Sequence, residues 1–288
     1  MATIVDTSEV RGAMPIRVEL ARQFRRRRTL VTYALLALLP VLVVAAVKFG
    51  PQSSGSGSGR RFGGGSLDLV GLATAGAWNF SITMLFFATG FLLVLVTAVF
   101  LGDTVASEAQ WSTLRYLLAA PVPRRRLLWV KLVVGLLSTA GGLLLLIVTS
   151  YIVGWLAFGG GPLASPAGGT FSGPDALLRV GIIAGFIFLS LLFTAGIAFL
   201  MTVSTDAPLG AVGTALILVI VSSILDAIEA LGDLRQWLPT DYTNAWVAAL
   251  QPQIDWSQMA RGAALSFAVF VVLVGIAFVR FDRKDILS

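Results

Sequence analysis

The residue types best suited to recognising a partner lie between two long apolar runs, at positions 101–132. This stretch combines Glu108 and Arg115 with Trp111, and it continues into three arginines at 124–126. Carboxylates, guanidinium groups and tryptophan bind other proteins through charge, hydrogen bonds and apolar packing. We therefore expect this segment to be a binding surface.

The rest of the sequence offers little for enzyme chemistry. There is no Cys and no His, which excludes a thiol nucleophile, a Ser–His relay and the common zinc sites. A phosphate-binding loop requires a Gly-Lys pair, and the sequence contains none. We expect no catalytic, cofactor-binding or metal-ligating residues in this chain, and no enzyme activity.

Composition indicates a membrane protein. Hydrophobic residues make up 57% of the 288 positions and charged residues only 12%, whereas soluble domains carry about 25% charged residues. Charge-free windows reach the roughly 20 apolar residues needed to cross a bilayer. These windows predict six helices, near 29–48, 79–101, 127–157, 178–203, 208–228 and 263–281.

The expected fold class is all-α, a polytopic membrane protein whose six transmembrane helices form a single transmembrane domain over residues 1–288. The segments between the helices are each about 35 residues or fewer, and pieces of that size rarely fold alone. No window contains a mid-membrane charge, which argues against a proton- or sodium-driven carrier. Asp226 and Glu229, near the end of the fifth helix, are either a solvated pair or a cation or substrate contact.

Basic residues determine the expected orientation. Six spans place both termini on one side with the 102–126 and 203–208 loops, and that side carries fifteen Lys and Arg residues against six. Cytoplasmic loops are enriched in Lys and Arg, so we expect cytoplasmic termini and a multi-pass protein of the cell (plasma or inner) membrane. Basic residues that follow helix ends at one face are explained by membrane topology, so we expect no nucleic acid as a partner.

Residues 15–28 are expected to form an amphipathic helix on the cytoplasmic membrane surface. Ile16, Leu20 and Phe24 recur every four residues and predict one apolar face. A basic residue near an anionic membrane surface contributes about 1 kcal/mol, although a positively charged flank of the first span explains the same residues. The basic side chains that would reach lipid phosphates are Arg25, Arg26, Arg27 and Arg28.

Two segments on the expected outer side differ in composition. Residues 53–66 are rich in Gly and Ser and predict a flexible linker. Residues 229–262 contain aromatic side chains typical of the membrane–water interface, with short interfacial helices expected at 242–250 and 256–261. These aromatics form either an interfacial belt or an external lid over a translocation path, and they are Trp237, Tyr242, Trp246 and Trp256.

The 103–120 stretch is expected to continue as helix, because no Pro or Gly interrupts it before Pro121. Trp111, Leu114 and Leu118 share one apolar face of that helix. Prolines at 121 and 123 then end it. The arginines at 124–126 start the third span, where an anionic leaflet favours them although the helix dipole does not.

Glu108 is followed in order by Ser112-Thr113-Leu114, Leu117-Leu118, Pro121-Val122-Pro123-Arg124 and Lys131. This series resembles the segment after helix two in ABC-2-type transporter permeases, which carries Glu, Gly-Thr, Leu-Leu, Pro-Val-Ser-Arg and Lys. The chain departs at two positions, with Ser112 in place of Gly and Pro123 in place of Ser or Thr. A surface helix, six spans and an aromatic segment before the last span resemble the same family over nearly the whole chain.

The resemblance implies the permease subunit of an ATP-driven ABC transporter, paired with a second permease copy or a paralogue. It also implies separate ATPase subunits, which bind ATP and Mg and dock on the 103–120 region. The apolar spans favour a lipophilic substrate, a drug or a lipid, and we expect the transporter to act in efflux. The residues that would couple to the ATPase are Glu108, Trp111, Thr113, Leu114, Arg115, Leu118, Pro121 and Arg124.

Two other classes of function stay open on the sequence. One is a secondary carrier or a passive lipid or ion conduit that acts without an ATPase. The other is a membrane-anchored assembly or sensory protein. Association with an ATPase separates the first interpretation from both.

Overall fold

The computed structural model describes residues 16–49, 69–110, 124–165 and 168–283, and these residues are mainly helical. Strands β1 (Leu163–Ala164) and β2 (Thr170–Phe171) form a short antiparallel pair. The helices are α1 (Ile16–Arg25), α2 (Arg27–Phe49), α3 (Leu69–Thr74), α4 (Ala77–Thr89), α5 (Leu92–Gly102), α6 (Ala106–Gln110), α7 (Arg124–Phe158), α8 (Gly173–Ser204), α9 (Pro208–Asp226) and α10 (Trp256–Arg283). Three 3₁₀ segments separate α9 from α10, namely Glu229–Trp237, Pro239–Tyr242 and Ala245–Leu250.

Within the described ranges, five helices are long and apolar enough to cross a membrane, namely α2, α7, α8, α9 and α10. Helices α4 and α5 pass the same test only as a pair, and they are bent by 58° where they meet. The all-α, polytopic class is therefore confirmed. The number of spans is five, or six if the bent pair counts as one.

The helix predicted near 79–101 is divided into two, because the chain breaks between α4 and α5. Phe91 leaves the helical conformation, with φ −144° and ψ −48°. It follows Gly90, and glycine is a poor helix former. Hydropathy does not report this bend, because the residues on both sides of it are mainly apolar.

Two other predicted boundaries also need correction. The chain turns at 103–105 after α5, so residues 103–110 form a turn and the short α6 instead of one continuous helix. The last span begins at Trp256, and residues 256–261 are its first turns and not a separate helix. The predicted linker at 53–66 and residues 111–123 lie outside the described residues.

Helix α8 lies at the centre of the bundle and is the most buried of the five long apolar helices. It contacts α5, α9 and α10. Its buried stripe includes Ile183, Ile187, Leu191, Ala195 and Phe199, which recur every four residues and so face one direction. This packing places the ends of neighbouring helices next to one another.

Side chains that are distant in sequence meet at two ends of the bundle. At the end that includes α1 (the α1 end), Arg28 of α2 donates a hydrogen bond of 2.6 Å to the carboxylate of Asp103, which follows α5. At the same end, Arg125 of α7 lies 2.8 Å from Asp282 of α10. At the opposite end, the Asn79 side chain of α4 accepts from the amide of Ala164 in β1 at 2.8 Å.

Candidate functional site

The α1 end contains a buried network of charged side chains around Glu108 of α6. Lys131 Nζ of α7 lies 2.6 Å from Glu108 Oε1, and Arg22 of α1 donates to the same oxygen at 2.6 Å. The Lys131 side chain is 1% exposed and the Glu108 side chain 5%. One carboxylate therefore joins three helices that are far apart in sequence.

Lys131 is bound by two further groups. Its ammonium donates to the backbone carbonyl of Thr104 at 3.0 Å and lies 3.7 Å from Glu19 of α1. Glu19 also accepts a hydrogen bond from Arg22 at 2.7 Å. An unpaired buried charge is costly, so these contacts hold α1 and residues 104–108 against α7.

A second carboxylate, Asp103, anchors the same end to α2. Arg28 donates to Asp103 Oδ1, and Arg26 lies 3.7 Å from Asp103 Oδ2. Burial raises the pKa of Asp103, and the neighbouring Arg28 and Arg26 oppose that rise. Arg26 stands between α1 and α2 and lies 4.0 Å from Glu108 as well, so it links the two carboxylates.

Thr202 of α8 caps the short helix α6 from another span. Its Oγ1 accepts from the backbone amides of Val105 at 3.1 Å and Ala106 at 3.0 Å, and Thr202 is fully buried. The first amides of a helix lack partners within the helix, and a side chain at the cap position usually accepts from them. Sequence reasoning missed Thr202 because no local signal connects it with a turn 96 residues earlier.

The residues predicted to couple to an ATPase are only partly within the described chain. Glu108 is buried and engaged by Lys131 and Arg22, so its charge acts inside this protein. Arg124 begins α7, as predicted for the start of the third span. The others lie outside the described residues, and they are Trp111, Thr113, Leu114, Arg115, Leu118 and Pro121.

Helix α1 buries two polar side chains and exposes apolar ones. Ile16 and Phe24 are each 42% exposed, whereas Glu19 and Gln23 are buried. Leu20 and Arg26 are partly exposed, and Arg25, Arg27 and Arg28 are exposed. This is the arrangement expected of a helix whose charged face packs on the protein and whose apolar face is available to lipid.

The four aromatic residues predicted to be interfacial fall into two groups. Trp246 and Tyr242 are buried, so both rings pack against other parts of the protein. Trp246 packs edge-on against Phe86 of α4, with ring centroids 6.2 Å apart. Trp237 and Trp256 are exposed and remain available for a belt or a lid.

Arg179, near the start of α8, binds the backbone of residues 249–252, which precede α10. Its guanidinium donates to the carbonyls of Ala249, of Gln251 at 2.7 Å and of Pro252 at 3.2 Å. It also lies over the Phe171 ring, 3.6 Å from the centroid. Sequence reasoning counted Arg179 only as one of the basic residues on the outer side.

The long apolar helices and buried packing define a polytopic, membrane-embedded helical protein. The chain belongs to the DUF2705 family, described as a protein of unknown function, and the match covers residues 67–287. That range contains Asp103, Glu108 and Lys131 and leaves out α1 and α2. No match was found among curated proteins.

Proposed function

We propose that the chain is the membrane-spanning permease subunit of an ATP-driven ABC transporter that exports a lipophilic compound, a drug or a lipid. Separate ATPase subunits bind ATP and Mg, and a second permease copy or a paralogue completes the pair. Two features support the proposal, namely the sequence motif that starts at Glu108 and the buried network of charged side chains that connects α6 to α1 and α7.

Force transmission needs a segment that is firmly attached to the spans. Lys131 holds both the Glu108 carboxylate and the Thr104 carbonyl, and Thr202 accepts from the amides of Val105 and Ala106. A displacement applied next to Gln110 therefore reaches α1, α7 and α8 together. A loop without such contacts would absorb the displacement, since packed interfaces switch between discrete arrangements and loose ones deform.

The orientation in this proposal comes from the basic residues of the described ranges. The α1 end carries twelve of them and the opposite end four. The twelve are Arg17, Arg22, Arg25, Arg26, Arg27, Arg28, Arg124, Arg125, Arg126, Lys131, Arg280 and Arg283, and the four are Lys48, Arg179, Arg235 and Arg261. The positive-inside rule supports a cytoplasmic α1 end, on the side where ATP is available. The bent pair α4–α5 then counts as the second of six spans.

Co-purification tests the proposal. Tagged protein from its native membranes should bring down an ATPase that carries a phosphate-binding loop, and vanadate should abolish the export phenotype. Arg124→Glu, next to the proposed docking segment, should weaken the association. Lys48→Glu, the same charge reversal on an exposed residue at the other end of α2, should leave the association unchanged.

Two results would overturn the proposal. The first is a preparation that contains no ATPase together with export that vanadate does not inhibit, which favours a secondary carrier or a passive conduit. The second is ATPase binding that Arg124→Glu and Lys48→Glu affect equally, which removes the α1 end as the docking surface.

A further inference from the structure

A second site lies towards the opposite end of the bundle. It is a cavity of about 210 Å³ bounded by the α4–α5 break, by α8, by α9 and by residues 239–244. Thr89 and Gly90 line it at the break, Ser190 lines it from α8, and Asp226 lines it from the end of α9. Asp226 is the one ionisable side chain among the described residues that line this cavity.

Five of the hydroxyl groups that line this cavity have already donated their protons to backbone carbonyls. Thr89 donates to Leu85 at 2.6 Å, Ser190 to Phe186 at 3.0 Å, Ser223 to Val219 at 3.0 Å, Thr240 to Ser222 at 3.1 Å and Thr243 to Thr240 at 2.7 Å. A hydroxyl has one donor and two acceptor lone pairs. These five groups can therefore offer a ligand only lone pairs, and they favour a ligand rich in N–H donors.

Asp226 adds a carboxylate whose charge is incompletely balanced. Its Oδ1 lies 3.5 Å from Arg235 Nε, which is longer than an ordinary N–H···O hydrogen bond. This buried oxygen accepts no hydrogen bond in the described part of the chain. Arg235 also lies 4.0 Å from Asp241, so one guanidinium faces two carboxylates.

Asp241 is the second carboxylate beside Arg235. Burial raises the pKa of Asp241, a side-chain hydrogen bond to Asp226 and the negative charge of Asp226 raise it further, and Arg235 opposes the rise. A carboxyl group beside a second carboxylate behaves in this way. A further positive charge at the cavity would relieve the repulsion.

We propose that this cavity binds the primary ammonium group of an amphiphilic organic cation, with its charge beside Asp226 and its N–H donors directed to the hydroxyl lone pairs. A primary ammonium has three donors and no acceptor, which matches the carboxylate of Asp226 and the lone pairs of the five hydroxyl groups. The volume is below the roughly 300–1,000 Å³ of pockets for drug-sized ligands, so the cavity takes the head group and the apolar tail lies outside it. That the cation is exported rests on the proposed function, whereas its binding does not.

Calorimetric titration of the purified full-length protein tests this site. The protein is placed in nanodiscs of zwitterionic lipid and titrated with octylammonium chloride, and the signal from empty nanodiscs is subtracted. We expect saturable binding that Asp226→Asn weakens by about tenfold or more. Asp233→Asn, the same change at an exposed carboxylate in the neighbouring 3₁₀ segment, should leave the affinity unchanged.

Two further measurements test the role of the lone pairs. Octyltrimethylammonium carries the same charge and no N–H donor, so it should bind about tenfold more weakly than octylammonium. Ser190→Ala removes one acceptor and leaves the contact between Asp226 and Arg235, so it should weaken octylammonium binding severalfold. No saturable binding, equal binding of the two cations, or equal affinity in Asp226→Asn and the unaltered protein overturns the inference.

Failure of this inference and failure of the proposed function give different results. Octylammonium binding in a protein that never associates with an ATPase rejects the transporter assignment and keeps the cation site. An ATPase partner together with absent octylammonium binding rejects the cation site and keeps the transporter assignment.

Discussion

The two ends of the bundle are held together by different chemistry. At the α1 end, charged side chains pair with one another around Glu108 and Asp103, and they join α1, α2, α6 and α7. At the opposite end, side chains bond mainly to backbone groups, with Arg179 on the carbonyls at 249–252 and Asn79 on residues 162–164.

This difference has a physical consequence. Buried charges must be matched as a set, because removal of one leaves the others uncompensated. A side chain on a backbone carbonyl instead fixes the path of one segment, and its loss releases that segment alone. We therefore expect cooperative failure at the α1 end and local loosening at the opposite end.

Replacement of Lys131 should have the largest effect. Lys131→Met leaves the buried Glu108 with Arg22 as its closest cation among the described residues, and loss of one partner of a buried ion pair costs about 3–5 kcal/mol. The free energy of unfolding, measured in mixed micelles as the SDS fraction is raised, should fall by up to that amount.

A double variant provides the control for Lys131. Lys131→Met combined with Glu108→Leu removes both charges and should recover most of the lost stability, because no buried carboxylate remains at position 108. A single Lys131→Met variant with unchanged stability would show that the network does not hold the α1 end together.

Replacement of Arg179 should have an intermediate and local effect. Arg179→Met removes the donors to the carbonyls of Ala249, Gln251 and Pro252, and hydrogen bonds of charged groups are worth about 1.5–3 kcal/mol. Amide hydrogen exchange should speed up around residues 245–256 and stay unchanged at 103–110. Arg179→Lys keeps the charge without the planar fork, so it should restore only part of the protection. Equal acceleration at both ends would contradict the distinction between them.

Replacement of Thr202 should have the smallest effect. Thr202→Val keeps the shape and removes the acceptor for the amides of Val105 and Ala106, and loss of a helix cap costs about 1 kcal/mol. Exchange of these two amides should become faster. Thr202→Ser keeps the hydroxyl, so its amides should exchange at the rates of the unaltered protein. Identical exchange rates in Thr202→Val, Thr202→Ser and the unaltered protein would show that Thr202 is not the cap.

Hydropathy predicted the long helices well and their irregularities poorly. The windows at 29–48 and 127–157 fall inside α2 and α7. The bend at Phe91 and the turn at 103–105 were not predicted. A long apolar run meets the length requirement of a span whether it is straight or bent. Its composition therefore does not show where the helix bends.

The candidate site was predicted in part. The motif singled out Glu108 and Lys131 by their spacing, but not their contact across α6 and α7 or the participation of Arg22. Trp246 shows the same limit, because its type suggested an interface and its neighbours made it part of the core. A residue type reports what a side chain can do, and its neighbours decide which possibility is realised.

The sequence by itself determined the class of the protein. Long apolar runs and few charges allow only membrane-spanning helices, because every backbone polar group in lipid must be bonded within the protein. Only the tertiary structure decided that Lys131 meets Glu108, that Thr202 caps α6 and that five hydroxyls and Asp226 share one cavity. The physical reason is that apolarity is a property of each residue and can be read along the chain. An ion pair or a shared cavity instead needs groups that are distant in sequence, and only the packing of the helices brings those groups within a few ångströms of each other.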